Sequence, residues 1–321
     1  MRRKKRGARR KREKQARTAR AEIFCLMFGR GKILSSSFME EKNLAAVLSV
    51  VAATALTAFK LLVGLLTGSL GILSEALHSA LDLIAAAMTW FAVKISDKPA
   101  DKDHMFGHGK VENLSALVEA GLLLLTCVWV VWEAIDRLVC GETGFEINFW
   151  AFAVVITSIL VDFFRSRHLM KVAKKYNSQA LEADALHFST DILSSAVVLV
   201  GLISAAFGYT QADSIAALGV SVIVAYVSGK LAIKAINALI DTAPKGLADE
   251  IDSIIKHTGG VVRWHDLRVR SNGAEYDVNV NIHVKHTLSI VEAHEISEKI
   301  EHKIRKKLGK GTISVHIEPD E

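Results

Sequence analysis

Six long apolar stretches dominate residues 44 to 240 of this 321-residue chain: Leu44 to Leu66, Leu70 to Val93, Leu114 to Trp132, Ile147 to Phe164, Ala185 to Phe207 and Ile215 to Ile240. A bilayer core about 30 Å thick needs about 20 such residues in a helix. Lipid offers the backbone no hydrogen-bond partner, so each stretch must satisfy its own peptide groups as a helix. The chain is therefore read as a six-span helical membrane domain. The fourth stretch is the shortest and carries Asp162 near its end, so its limits are the least sharply drawn. Half the residues are hydrophobic, yet 23% are charged, which places a soluble part beside the membrane part.

Loop charge supports the count and sets an orientation. Lys94, Lys98, Lys102 and Lys110 follow the second stretch, and Arg165, Arg167, Lys171, Lys174 and Lys175 follow the fourth. "GETGFEIN" and "GYTQADS", after the third and fifth, hold neither Lys nor Arg. Cytoplasmic loops concentrate Lys and Arg, so both termini are expected in the cytoplasm, most simply of a plasma (inner) membrane. Residues 1 to 20 hold twelve Lys or Arg and one Glu, a net of +11; the formal charge of +6 minus this +11 leaves −5 on the rest. Such a block is read as a solvated tail, over residues 1–43, that reinforces the orientation; anionic headgroups, nucleic acid and organelle targeting are the rival readings. No nucleic-acid partner is expected. The first apolar stretch lies too far in for a signal peptide and continues as a span. Cys25, Cys127 and Cys140 form no CxxC pair and suggest neither a disulfide framework nor a thiolate metal site.

Residues 44–243 thus form the membrane domain, and the character changes after Pro244. "GLADEIDSIIKHTGG" reads as a capped amphipathic helix. "VVRWHDLRVRS" and "EYDVNVNIHVKH" alternate around "SNG" as a hairpin. "SIVEAHEISEKIEHKIRKKLG" returns to helical spacing and "TISVHIEP" to a strand. The order α-β-β-α-β over residues 244–321 predicts a small ferredoxin-like α+β domain.

Two polar triplets interrupt the apolar stretches with identical spacing: Glu75, His78, Asp82 and Asp184, His187, Asp191, the His and second acid of each lying 109 positions from their counterparts. On a helix each His and the following Asp share one face. Ionisable groups cost at least about 2.5 kcal/mol each inside a bilayer and so face a cavity or each other. His78, Asp82, His187 and Asp191 together offer two imidazoles and two carboxylates, a set that suits a tetrahedral divalent cation such as zinc. Polar glue between helices would explain one triplet but not two. Glu75 and Asp184, one turn from each His, would steady the ligands or carry protons.

The two HxxxD pairs, the loop "KPADKDHMFGHGKVE" and the α+β tail resemble the cation diffusion facilitator family, and within it the bacterial YiiP-like branch, over roughly Leu44 to Pro319. The resemblance implies a homodimeric antiporter that exports divalent metal from the cytoplasm in exchange for protons, with His78, Asp82, His187 and Asp191 as the transport site. In the YiiP-like branch the first of these is often Asp; His78 resembles the zinc transporters of the wider family, which favours Zn2+ and leaves Fe2+, Mn2+, Co2+ and Cd2+ open. The resemblance further implies a loop zinc site from Asp101, His104 and His108, with Asp103 a competing carboxylate. It also implies a binuclear site in the C-terminal domain from His265, His283, His316 and Glu318, with His294 bridging. Lys110 and Asp241 resemble the family's charge interlock at the dimer.

Neutral imidazole binds metal and titrates near pH 6.5, so metal entry displaces protons. Lys60 is expected to snorkel, Lys230 and Lys234 to sit near the cytoplasmic end of span six, and Asp162 to keep company with Arg165. His257, His286 and His302 are read as solvated. Two rivals remain in view: a membrane metalloenzyme, for which His78 and His187 are too few histidines in the spans, and a metal sensor or scaffold that keeps the fold without transport. The reading is of a transporter and not of an enzyme.

Overall fold

A computed structural model describes residues 40–140, 149–206 and 212–321. The basic tail up to residue 39, with Cys25, and most of the two connectors that lack Lys and Arg lie outside the described residues. Among the described residues six long helices come first: α1 (Glu40–Thr67), α2 (Leu70–Ser96), α3 (Lys110–Cys140), α4 (Phe149–Tyr176), α5 (Gln179–Ala206) and α6 (Ala212–Leu239). Among the described residues, α1, α2, α3 and α6 contain windows long and apolar enough to cross a membrane. Helices α4 and α5 have 28 residues each, about 42 Å at 1.5 Å per residue.

Boundaries differ from the apolar stretches in an instructive way. Helix α1 already includes Glu40, inside the segment read as tail. Helix α4 runs on to Tyr176, so the Arg and Lys cluster read as a loop is a helical extension, and only Asn177 and Ser178 separate it from α5. Asn177 takes a left-handed φ of 51°, and the Ser178 hydroxyl accepts from the Leu181 N–H at 3.4 Å, which starts the next helix. At the other end of the bundle, Gly68 at φ 67° closes α1 and the Ser69 side chain caps α2.

Small residues let the helices approach closely: Ala116, Ala120, Ala183 and Ala235 pack with Leu231 between α3, α5 and α6, and Ala45, Ala46, Val93, Ala173, Ala185 and Phe188 join α1, α2, α4 and α5. Large apolar side chains such as Leu66, Leu125, Trp132 and Val222 remain exposed on the bundle surface, as lipid-facing positions would be. A buried charge knot ties the α2–α3 end: Lys42 Nζ lies 2.9 Å from Asp97 Oδ1 and 2.6 Å from Glu112 Oε1. Glu112 also accepts from Ser96 at 2.9 Å and from the Ser178 hydroxyl.

The C-terminal domain follows the expected order: α7 (Leu247–Lys256), β1 (Val261–Asn272), β2 (Glu275–Lys285), α8 (Ile290–Leu308) and β3 (Gly311–Asp320). Strand β2 is central, antiparallel to β1 and parallel to β3. Val278, Val280, Ile282 and Val284 on its inner face bury against Ile251 and Ile255 of α7 and Ile296, Ile300 and Ile304 of α8. Helix α8 carries a capping box from Ser289 and Glu292. Helix α7 departs from expectation: Gly246 stands at its N-cap with φ 77° and no side-chain cap, leaving Asp249 and Glu250 to complement the first turn.

The domain docks on the loop before α3. A Cβ on Gly109 would meet the Asn272 carbonyl oxygen at 2.6 Å, and one on Gly273, itself at φ 61°, would meet the Gly109 carbonyl oxygen at 2.6 Å. Asn272 donates to the Phe106 carbonyl at 2.5 Å, and the Arg270 guanidinium lies 4.4 Å from the Phe106 ring.

Candidate metal-transport site

Helices α2 and α5 bring the two triplets together. His187 Nε2 lies 3.2 Å from Asp82 Oδ1 and 3.5 Å from Asp191 Oδ2, and ligand atoms of these three residues all fall within 4.8 Å of one another. His187 Nδ1 and Asp191 Oδ2 are buried without a hydrogen-bond partner. Buried polar atoms are ordinarily satisfied, so this pattern fits a place where a cation completes the shell. His78 is the outer member: its Nε2 is 3.9 Å from Asp82 Oδ1, its side chain is 42% exposed, and it shares a cavity of about 60 Å³ with Asp82 and Asp191.

The two acids that begin the triplets have different surroundings. Asp184 is buried and accepts from Ser49 at 2.7 Å. Ser49 in turn accepts from Arg165 Nε at 2.8 Å, and the guanidinium covers the Phe188 ring at 3.3 Å. Glu75 is ion-paired with Lys60 at 3.0 Å. Lys60 therefore does not snorkel: it is 4% exposed because Glu75 and the cavity hold its ammonium inside. Asp162 also lines that cavity, while the nearest partner of Arg165 is Ser49. Lys234 pairs with Glu182 of α5. Periodicity within one stretch could not reveal these groups, since each partner lies on another helix. Glu119 of α3, fully buried with an Oε2 that lacks a partner and bonded to Thr89, went unread in the sequence. A lone acid in an apolar stretch was its signal.

Outside the bundle two further clusters assemble. Asp101 lies 3.4 Å from His104 Nδ1 and 3.3 Å from His108 Nε2, with the rings 4.5 Å apart. Asp101 Oδ1 accepts from the backbone of His104 at 2.7 Å and Asp103 at 3.0 Å. The His104 N–H foremost holds the Asp101 carboxyl below its usual range. Asp103 thus contributes its backbone and does not join the cluster.

In the C-terminal domain Glu318 Oε2 lies 3.2 Å from both His265 Nε2 and His283 Nε2, and Oε1 lies 3.7 Å from His316. Parallel pairing sets His283 directly opposite Glu318. The His265 hydrogen bond depresses the Glu318 carboxyl, joined by the charges of His283 and His316. His265 sits within β1 beside Asp266, whose φ of 53° marks an irregularity in the pairing. Asp266 Oδ2, 3.3 Å from His265 Nδ1, is an additional neighbour. His294 stays apart on α8, exposed and 3.6 Å from Glu298. His257 is engaged with the Ser253 carbonyl at 2.7 Å. Lys110 Nζ meets Asp241 Oδ1 at 2.8 Å, and Arg270 meets Asp241 Oδ2 at 3.2 Å, both within one protomer.

Residues 46–240 match the family described as the cation efflux transmembrane domain, and residues 243–320 match the cytoplasmic domain of cation efflux proteins. The chain belongs to the cation efflux family. The cation-efflux pump FieF of Salmonella paratyphi A is 30% identical over 280 residues, spanning 86% of this chain and 92% of that protein. FieF of Citrobacter koseri is 31% identical over the same shares. Among solved structures, the metal-bound C-terminal domain of the CzcD transporter from Thermotoga maritima is 27% identical, covering 23% of this chain and 86% of that one, with a TM-score of 0.22. This cation efflux protein is thus a multi-pass membrane transporter for divalent metals with a C-terminal cytoplasmic domain.

Proposed function

We propose that the protein is a homodimeric zinc/proton antiporter that exports Zn2+ from the cytoplasm of a cell bounded by its plasma (inner) membrane. The observation that carries the reading is the convergence of Asp82, His187 and Asp191 within 4.8 Å of one another, with His78 on the same cavity. Two imidazoles and two carboxylates suit zinc in a tetrahedral site. Metal binding to neutral imidazole and ionised carboxylate releases protons, and protonation from the far side favours metal release. Zinc held by Asp101, His104 and His108, and by His265, His283, His316 and Glu318 with Asp266 close by, serves a structural or regulatory role. His294 joins the latter set only by rearrangement. The Lys110–Asp241 pair steadies each protomer where the dimer is proposed to meet.

Vesicle transport tests this reading. Protein in proteoliposomes carries zinc against an imposed proton gradient, and Asp191→Ala abolishes the flux while leaving the dimer intact by light scattering. Full transport by that variant would overturn the site assignment. The same assay with manganese, ferrous iron, cobalt and cadmium ranks the cations, and zinc without any proton flux would remove the antiport.

A further inference from the structure

Glu75, Asp82, Asp162 and Asp191 place four carboxylates around the cavity beside the transport site, and one ammonium, that of Lys60, lies in the same wall. The cavity has a direction. On α2, Glu75 lies one turn before His78, nearer the α1–α2 turn; on α5, Ser194 and Ser195 lie one turn beyond Asp191; on α4, Val155 lies two turns before Asp162. The C-terminal domain docks at the opposite end of these helices, against Phe106 and Gly109. The cavity therefore opens from the transport site away from the cytoplasmic domain, which is the exit side in the proposed direction of transport.

Helix α1 delivers Lys60 into this exit cavity 4% exposed, with Nζ 3.0 Å from Glu75 Oε2. Glu75 is the more accessible partner at 43% side-chain exposure, against 5% for Lys60. A buried ammonium needs a carboxylate partner, and here every carboxylate of the cavity wall is also an attractor for a departing divalent cation. We propose that Lys60 is an internal counter-cation of the transport site. It rests on Glu75, weakens the hold of the site on metal by charge repulsion, and takes over the exit-side carboxylates as the metal leaves. Low-dielectric surroundings make such repulsion count for more than it would in water. This inference rests on the assignment of His78, Asp82, His187 and Asp191 as metal ligands.

The experiment is zinc flux in proteoliposomes of the full-length protein, with KM and kcat measured separately. Lys60→Met lowers KM for zinc at least tenfold and lowers kcat at saturation, because binding tightens and release slows. Lys60→Arg, which keeps the charge, stays near wild type. Glu75→Gln leaves the ammonium free to approach the ligands, so KM does not fall. A merely structural tie between α1 and α2 predicts loss of thermal stability with KM unchanged or raised. Should Lys60→Met fail to fold, Lys60→Gln removes the positive charge, keeps a hydrogen-bond donor for Glu75 and carries the same expected fall in KM. A folded Lys60→Met or Lys60→Gln variant with unchanged or higher KM overturns the role of Lys60 alone. A wild-type protein that carries no divalent cation overturns the transport reading together with it.

Discussion

Lys42 is 1% exposed and sits between Asp97 and Glu112, where one cation answers two carboxylates drawn from different parts of the chain. Removing one member of a buried ion group leaves the others uncompensated and costs about 3–5 kcal/mol. Lys42→Met is therefore expected to lower the Tm of the detergent-solubilised protein, whereas changing an exposed lysine such as Lys98 keeps the stability within about 0.5 kcal/mol of wild type. At this scale the sequence was legible wherever partners share a helix. The three- and four-residue spacings of Asp184, His187 and Asp191 show on inspection, because helical geometry fixes which side chains share a face. The Lys42 knot, the Lys60–Glu75 pair and the Ser49–Asp184–Arg165 chain were not legible. Their partners lie on other helices, and no local pattern records how each helix is rotated about its axis.

Helix limits show the same boundary between the readable and the unread. Hydropathy locates where lipid contact ends, not where the helix ends, so the charged extension of α4 looked like a loop. The hairpin and the capped helix α8 were readable because alternation, "SNG" and the Ser289–Glu292 box are local signals. Docking between elements brings a pH dependence. Burial raises the Asp241 carboxyl, but the Lys110 hydrogen bond and charge, aided by Arg270, hold it below its usual range. A carboxylate depressed in the folded state contributes its full stabilisation above its unfolded value of about 3.9 and loses it as pH falls through the lower folded value. Protection of the β1–β2 turn amides, taken relative to their intrinsic exchange rate at each pH, is expected to hold from pH 7 down to about 4 and to fall below that. Asp241→Asn removes this acid step and raises exchange at neutral pH.

Across the whole molecule, a six-helix bundle with lipid-facing apolar side chains carries its candidate site where α2, α4 and α5 meet, and its soluble domain at one end. The proposed orientation predicts that Lys102→Cys and Lys171→Cys, introduced separately into a cysteine-free background, react with an impermeant maleimide only after right-side-out vesicles are opened. Labelling of intact vesicles would reverse the direction of transport proposed for the exit cavity. Membrane insertion, the order of membrane and cytoplasmic domains and the four candidate ligand positions were readable in the sequence alone, because hydropathy, charge bias and helical periodicity are properties of consecutive residues. Tertiary structure alone decided that Asp82, His187 and Asp191 converge more closely than His78, that His294 stands apart, and that Lys60 and Asp162 share the cavity with the candidate ligands. Those outcomes depend on helix rotation and strand pairing, which arise from packing between distant segments and leave no periodic trace in any one of them.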